Sequence, residues 1–356
     1  MSLQPIQSSG YKVVFGDAAE LLISFLKQRT YSKIFFLVDT NTGEHCYPGI
    51  ALHIAGDIPH DIIEIDAGEE NKNIDICIGI WKMLLDFGAD RKGLVINLGG
   101  GVVTDMGSFA AATYKRGIDF LQIPTTLLSQ VDASVGGKTG IDVDAVKNMV
   151  GTFTNPQLVI IDPNFLQTLP QRELISGFAE IIKHGLIMDK AYFKAIKSFD
   201  FSNVDEKIIY RSVEIKNEIV TEDPHEKNIR KKLNFGHTIG HAVESYSLQN
   251  DEKPLTHGEA IAIGMITESW LSAKHAGLSE DELKEIYDFI LSVYPAYTVS
   301  EESFDELITY MKNDKKNEDD KINFTLLNTI GTSSINHSCT NEDILESIRF
   351  YNNLIK

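Results

Sequence analysis

The sequence predicts an α/β domain built on a parallel sheet, followed by a mostly α-helical domain. Three observations predict it. Short apolar runs alternate with helical patterns over residues 11–98, the signature of strand–helix–strand units. Residues 172–297 then show helical periodicity with no clear strand. The chain has 356 residues, more than one hydrophobic core usually organises. The pattern changes after Leu169-Pro170, so the expected domains are 1–168 and 169–356, with the active site expected in a cleft between them.

In chain order, IFFLVD (34–39), IIEID (62–66) and LVINLGG (94–100) read as buried strands, with helices over Ala18–Gln28 and Ile74–Phe87. Ligands of such sheets collect at the carboxyl ends of the strands. There Gly99-Gly100-Gly101 lead into a helix over Thr104–Tyr114, a turn suited to a pyrophosphate because backbone N–H groups and the helix dipole both favour an anion. GGGVVTD is not the GxGxxG pattern, and a tight strand–helix turn explains it equally. FLQIP (120–124) is a further strand, followed by Thr125 and Thr126. Next comes a Gly-rich loop region that gathers Asp132, Ser134, Lys138, Lys147 and Asn148. LVIID (158–162) closes the sheet. Ser279 with Glu282, and Ser303 with Glu306, have capping-box spacing. Gly277 is placed to end the helix begun at Gly258, and 321–331 reads as a short strand pair.

Composition narrows the function. The apolar fraction is 43%, ordinary for a globular protein, and no apolar run is long enough to span a membrane. No signal peptide is read at the N-terminus, and three isolated cysteines lack metal spacing, so a reduced, cytoplasmic protein is expected. A net charge of −18 argues against nucleic acid as a partner. Local basic clusters at Lys115-Arg116, Arg230-Lys231-Lys232 and Lys312, Lys315, Lys316 leave room for a small anionic substrate.

The stretch 232–260 carries the chemistry. His237 and His241 are four residues apart and share one helix face, and His257 opens the next helix. Glu180 interrupts an apolar segment, Ile175 to Ile187. Two imidazoles and a carboxylate are a usual ligand set for a catalytic zinc. The spacing alone suggests both His237 and His241 as ligands.

The combination GGGVVTD, IPTTLLSQVDASVGGK, KNMVGTF, SGFAEIIKHG, NFGHTIGHAVE and HGEAIAIGM resembles the 3-dehydroquinate synthase family over nearly the whole chain. The resemblance implies a Rossmann-like NAD-binding domain and a helical metal-binding domain. It also implies a cytosolic homodimer of the shikimate pathway, serving aromatic amino acid biosynthesis. The implied reaction converts 3-deoxy-D-arabino-heptulosonate 7-phosphate, a phosphorylated sugar acid, to 3-dehydroquinate and phosphate. The implied cofactors are NAD and a divalent metal, zinc or cobalt.

Carried over residue by residue, the resemblance makes Glu180, His237 and His257 the metal ligands and gives His241 to the substrate. It implies NAD contacts at Asp39, Glu69, Lys72, Gly100, Gly101, Val102, Val103, Thr104, Asp105, Thr125, Thr126, Lys138, Lys147, Phe165, Leu166, Gln167 and Thr168. Lys138 and Lys147 are expected where cofactor and substrate meet. Arg116, Asn148, Lys183, Lys216, Arg230 and Asn234 are expected to hold the substrate's anionic groups, with Lys315 or Lys316 closing the site. Asp132 and Glu226 complete the catalytic set. Arg116 is expected to come from the other subunit. Asn228 stands where many relatives carry glycine. The alternatives are a related sugar-phosphate cyclase acting on another substrate, and a metal-dependent polyol dehydrogenase.

Overall fold

The computed structural model describes residues 3–54, 58–143, 146–313 and 322–356. The chain divides into two compact units, Met1–Pro170 and Gln171–Lys356. No helix among the described residues is long and apolar enough to cross a membrane.

The first unit runs β1 (Ile6–Gln7), β2 (Lys12–Phe15), α1 (Ala18–Leu26), β3 (Ile34–Asp39), α2 (Thr40–His45), α3 (Tyr47–Ile54) and β4 (His60–Ile65). It continues with α4 (Ile74–Asp86), β5 (Leu94–Gly99), α5 (Gly101–Thr113), β6 (Asp119–Pro124), β7 (Lys138–Val143), β8 (Val146–Phe153) and β9 (Val159–Ile161). Seven strands form one sheet in the order β1-β2-β9-β6-β5-β3-β4, parallel except for the β1–β2 pair. Consecutive residues of β3 feed opposite cores: Phe35 and Leu37 pack with α4 and α5, while Ile34, Phe36 and Val38 pack with α1 and α3. Both faces are covered, which is why IFFLVD reads as a continuous apolar run rather than an alternating one. After β3 the chain adds β4 on one side and then returns to add β5 on the other. The order therefore reverses between the carboxyl ends of β3 and β5, where open α/β sheets bind ligands.

Two readings change here. The region after Thr126 is not only loop, because β7 and β8 pair as an antiparallel hairpin. Its polar residues Lys138, Asp142, Lys147 and Asn148 hide the strand pattern. Asp132 lies in a π-helical turn, Ser129–Ala133.

The second unit contains α6 (Gln171–Met188), α7 (Lys190–Ile196), α8 (Glu206–Glu222), α9 (His237–Asn250), α10 (His257–His275), α11 (Glu280–Val293) and α12 (Phe304–Asn313). A hairpin of β10 (Asn323–Thr329) and β11 (Thr332–Ser338) follows, then α13 (Asn341–Leu354). The strand pair extends past the predicted 321–331, with Gly331 in its turn at φ 92°. Helix α10 is buried on nearly every side from Gly258 to Ser272. Its polar residues bond inward: Thr267, Ser269 and Ser272 donate to carbonyls one turn back. Ser279 caps α11 through Glu282 N, as its spacing predicts. Ser303 starts no helix; Ser300 caps a 3₁₀ turn that runs straight into α12.

Candidate functional site

In the first unit the glycine turn sits between β5 and α5. Gly100 is the N-cap of α5 and offers no side chain to its first N–H groups. Thr104 Oγ1 donates to the Gly100 and Gly101 carbonyls at 3.1 and 3.2 Å, and Thr125 N donates to Gly99 O, which fixes the turn. The three glycines are not equivalent. A Cβ on Gly99 would lie 2.5 Å from Val103 Cβ, and one on Gly100 would lie 3.0 Å from Thr126 Cγ2. One on Gly101 would meet nothing nearer than Ala133 Cβ at 3.8 Å. The side chain of Val103 is in the core, so only its backbone can serve a ligand. Asp39, at the end of β3, forms a capping box with Thr42. Phe165, Leu166 and Gln167 follow β9 in a 3₁₀ turn, Pro163–Gln167, that Thr168 caps and whose Leu166 is buried.

A buried lysine ties this region together. Lys72 Nζ donates to Asp105 Oδ2 and to Asn148 Oδ1, both at 2.7 Å. Burial opposes its charge, but the Asp105 and Glu69 carboxylates outweigh burial and raise its pKa above the usual value. Lys147 Nζ lies 3.2 Å from Glu69 Oε1. Asn148 adopts φ 52°, a left-handed conformation that asparagine tolerates, and its N–H donates to Asp142 Oδ1. The β7–β8 hairpin, the first turn of α5 and the Glu69–Lys72 loop thus converge. Asn148 stands in this cluster, beside residues expected to bind NAD. Arg116 is exposed and follows α5 in a turn where Lys115, Arg116 and Gly117 all have positive φ.

In the second unit, Glu180 lies mid-way along α6 and is fully buried. His237 Nε2 and His257 Nε2 stand 3.3 and 3.5 Å from its Oε1, and the Lys183 ammonium contacts Oε2. Neither carboxylate oxygen has a hydrogen bond of ordinary geometry among the described residues. Each imidazole is braced from behind: His237 Nδ1 lies 3.0 Å from Phe235 O, and His257 Nδ1 lies 3.2 Å from Glu244 Oε2. Burial opposes the Glu180 charge, but Lys183 and His237 hold its carboxyl well below the usual range. Burial and the Lys183 charge press the His237 pKa down to about 3. Burial also opposes charge on His257, yet Glu244 and Glu180 carry it up to about 9.

Close helix packing sets these distances. A Cβ on Gly258 would fall 2.0 Å from Ser176 O, one turn before Glu180, and Gly258 N donates to Ser176 Oγ. A Cβ on Gly264 would fall 1.9 Å from Gly236 O, beside His237. Glu268 of α10 accepts from Gly236, Thr238 and Ile239 N–H and so caps α9. His257 is placed by the Thr256–Glu259 capping box, and Arg172 grips Glu259 bidentately. Glu180, His237 and His257 present ligand atoms within 4.8 Å of one another; His241 groups instead with Glu244 and His257. A two-imidazole, one-carboxylate set around a buried carboxylate fits a divalent zinc-type ion.

Four of the predicted anion residues, Lys183, Lys216, Arg230 and Asn234, belong to this second unit. Lys183, Lys216 and Arg230 are buried. The Asp223 carboxylate accepts from Lys227, Asn228 and Arg230 N–H and shapes the turn that carries Arg230. Asn234 Nδ2 donates to Glu226 Oε1 at 2.9 Å. The left-handed residue of this turn is Glu226 at φ 57°, while Asn228 has φ −138°. Lys315 and Lys316 lie outside the described residues. Sequence reasoning missed Glu244, although it falls seven residues after His237 on the same helix face.

Sequence models of the 3-dehydroquinate synthase N-terminal and C-terminal domains match residues 62–176 and 177–317. The 3-dehydroquinate synthase of Parabacteroides distasonis is 45% identical over 347 residues, covering 95% of this chain and 97% of the relative. That of Clostridium beijerinckii is 43% identical, over 85% and 87%. Among solved structures, a 2-epi-5-epi-valiolone synthase from Streptomyces hygroscopicus, with NAD⁺ and Zn²⁺ bound, superposes with a TM-score of 0.86. It is 26% identical and is matched over 99% of this chain and 100% of its own. A glycerol dehydrogenase from Schizosaccharomyces pombe shares the fold at a TM-score of 0.69 and 15% identity, over 99% of this chain and 91% of its own. With these matches spanning both units, the chain belongs to the 3-dehydroquinate synthase family.

Proposed function

We propose that this chain converts 3-deoxy-D-arabino-heptulosonate 7-phosphate to 3-dehydroquinate and phosphate in the shikimate pathway. The route is transient oxidation, loss of phosphate, re-reduction and intramolecular aldol closure. The observation that carries this reading is the buried Glu180 facing two imidazole Nε2 atoms, in a chain 45% identical to a 3-dehydroquinate synthase along 95% of its length.

Glu180, His237 and His257 would hold a divalent metal, zinc or cobalt, which supplies Lewis acidity toward a substrate oxygen. The Gly100–Asp105 turn, with Asp39, Glu69, Lys72, Thr125, Thr126, Lys138, Lys147 and Phe165–Thr168, would hold NAD, which supplies a hydride acceptor regenerated in each turnover. The buried charges of Lys183, Lys216 and Arg230 bind the substrate's carboxylate and phosphate, with Arg able to grip either group bidentately. Asn234, oriented by Glu226, adds a neutral contact. Asn148 and Lys138 would add polar contacts to the substrate. His241, next to the ligand set, positions the phosphate side and moves protons there. Asp132 completes the set. The protein acts in the cytoplasm as a homodimer in which Arg116 serves the neighbouring subunit, with neither nucleic acid nor membrane as a partner.

The test is turnover of the heptulosonate phosphate by metal-loaded protein with catalytic NAD, following phosphate, dehydroquinate and nicotinamide absorbance together. Equal phosphate and dehydroquinate without net NADH is the expected result. Phosphate released only from a ketose phosphate lacking the carboxylate would point to a related cyclase. NADH accumulating with a polyol would point to a dehydrogenase.

A further inference from the structure

Resting on the ligand set proposed above, we infer that Glu244 is a positioning residue for the metal site: its carboxylate holds Nδ1 of His257 and so commits Nε2 of that ring to the ion. Three observations support this. Glu244 is buried, and its Oε2 lies 3.2 Å from His257 Nδ1. The other ring nitrogen, Nε2, faces Glu180 Oε1 at 3.5 Å. The backbone of His257 is already fixed by the Thr256–Glu259 capping box and by the Gly258–Ser176 contact. What remains free is rotation of the ring, and Glu244 is what decides it.

The two histidines differ in this respect. His237 rests on a backbone carbonyl, that of Phe235. His257 rests on a carboxylate. A carboxylate behind a ligating imidazole fixes the tautomer and raises the basicity of the coordinating nitrogen, and removing such a partner typically weakens metal binding 10–100-fold. Glu244 also groups with His241 and His257 at ligand-like distances. Coordination there would draw His257 toward its Nδ1 side. It would also leave the buried Glu180, which has both Nε2 atoms on one oxygen, without the ion. The geometry favours Glu180 as ligand and Glu244 as support.

The experiment compares zinc dissociation constants, by chelator competition on folded protein, for wild type, Glu244→Gln, Glu244→Ala and Glu180→Ala. The visible absorption of the cobalt-loaded forms is recorded as a second readout. Glu244→Gln keeps the shape and one acceptor, so about tenfold weaker zinc is expected; Glu244→Ala should lose about 100-fold, and both should shift the cobalt bands. Glu180→Ala should lose stoichiometric metal. Zinc affinity within twofold of wild type in both Glu244 variants, with metal lost in Glu180→Ala, overturns the inference and leaves the ligand set standing. Loss of metal from Glu244→Ala as complete as from Glu180→Ala makes Glu244 a ligand and overturns its positioning role. Retention of metal by Glu180→Ala overturns the ligand set, and this inference with it.

Discussion

Both halves of the protein place a glycine in the first turn of a helix, and they use it in opposite ways. In the cofactor half, Gly101 opens α5 with room for a methyl group, since the nearest atom is 3.8 Å from where a Cβ would stand. In the metal half, Gly258 in the first turn of α10, and Gly264 further along it, have no such room; added Cβ atoms would lie 2.0 and 1.9 Å from backbone oxygens. The space left at Gly101 is what the proposed NAD site would need, since a pyrophosphate must approach the backbone closely. The space missing at Gly258 and Gly264 has been filled by neighbouring backbone, which brings Glu180, His237 and His257 together. A glycine therefore points to a ligand only where nothing in the protein already fills the gap.

The largest break in this comparison should come from Gly264→Ala. Its methyl group must push α9 from α10 at Gly236, next to His237. Overpacking of this kind costs about 3 kcal/mol, and it should weaken zinc binding while NAD affinity holds. Calorimetry and chelator competition read the two effects. An unchanged melting temperature would mean the helices are not held at this spacing. Gly101→Ala should behave in the reverse sense. The melting temperature should hold or rise slightly, since alanine favours helix over glycine by up to about 1 kcal/mol, while NAD binding weakens about tenfold, the equivalent of about 1.4 kcal/mol. Equal NAD affinity in titration calorimetry would remove the pyrophosphate reading of the turn.

The same contrast explains what the sequence made legible. Strands β3, β5 and β6 were readable because burial on both faces leaves unbroken apolar runs. The β7–β8 hairpin was not, because Lys138, Asp142, Lys147 and Asn148 interrupt it, and its Asn148 accepts from Lys72, a residue distant in sequence that Asp105 also holds. In the metal half, the His237/His241 spacing marks a helix face but cannot say which ring meets Glu180. That depends on the approach of α6, α9 and α10 through Gly258 and Gly264, a tertiary fact with no local spacing. Glu244 was on the same face, yet its value lies in a contact with His257 on the next helix.

A last expected effect is a pH dependence confined to the metal half. The buried cation of the cofactor half, Lys72, has its pKa raised by Asp105 and Glu69 despite burial, so its charge does not change near neutrality. NAD affinity should be flat from pH 6.5 to about 9. His257 behaves differently: against burial, Glu244 lifts its pKa from 6.5 to about 9 in the metal-free protein. The folded chain then holds this proton more tightly than the unfolded chain. The stabilisation is full below pH 6.5 and is lost as pH rises through about 9. Glu244→Gln removes the main source of that lift. The gap in melting temperature between wild type and Glu244→Gln, both stripped of metal, should be a few degrees, about 2–4 °C per kcal/mol for a unit of this size, below pH 6.5. It should close toward pH 9. Zinc must displace the same proton, so zinc affinity of the wild type should climb over this window by up to about tenfold per pH unit. A gap that stays constant with pH would show that Glu244 acts on His257 through packing rather than charge; parallel changes in NAD and zinc affinity would show that the two halves titrate together.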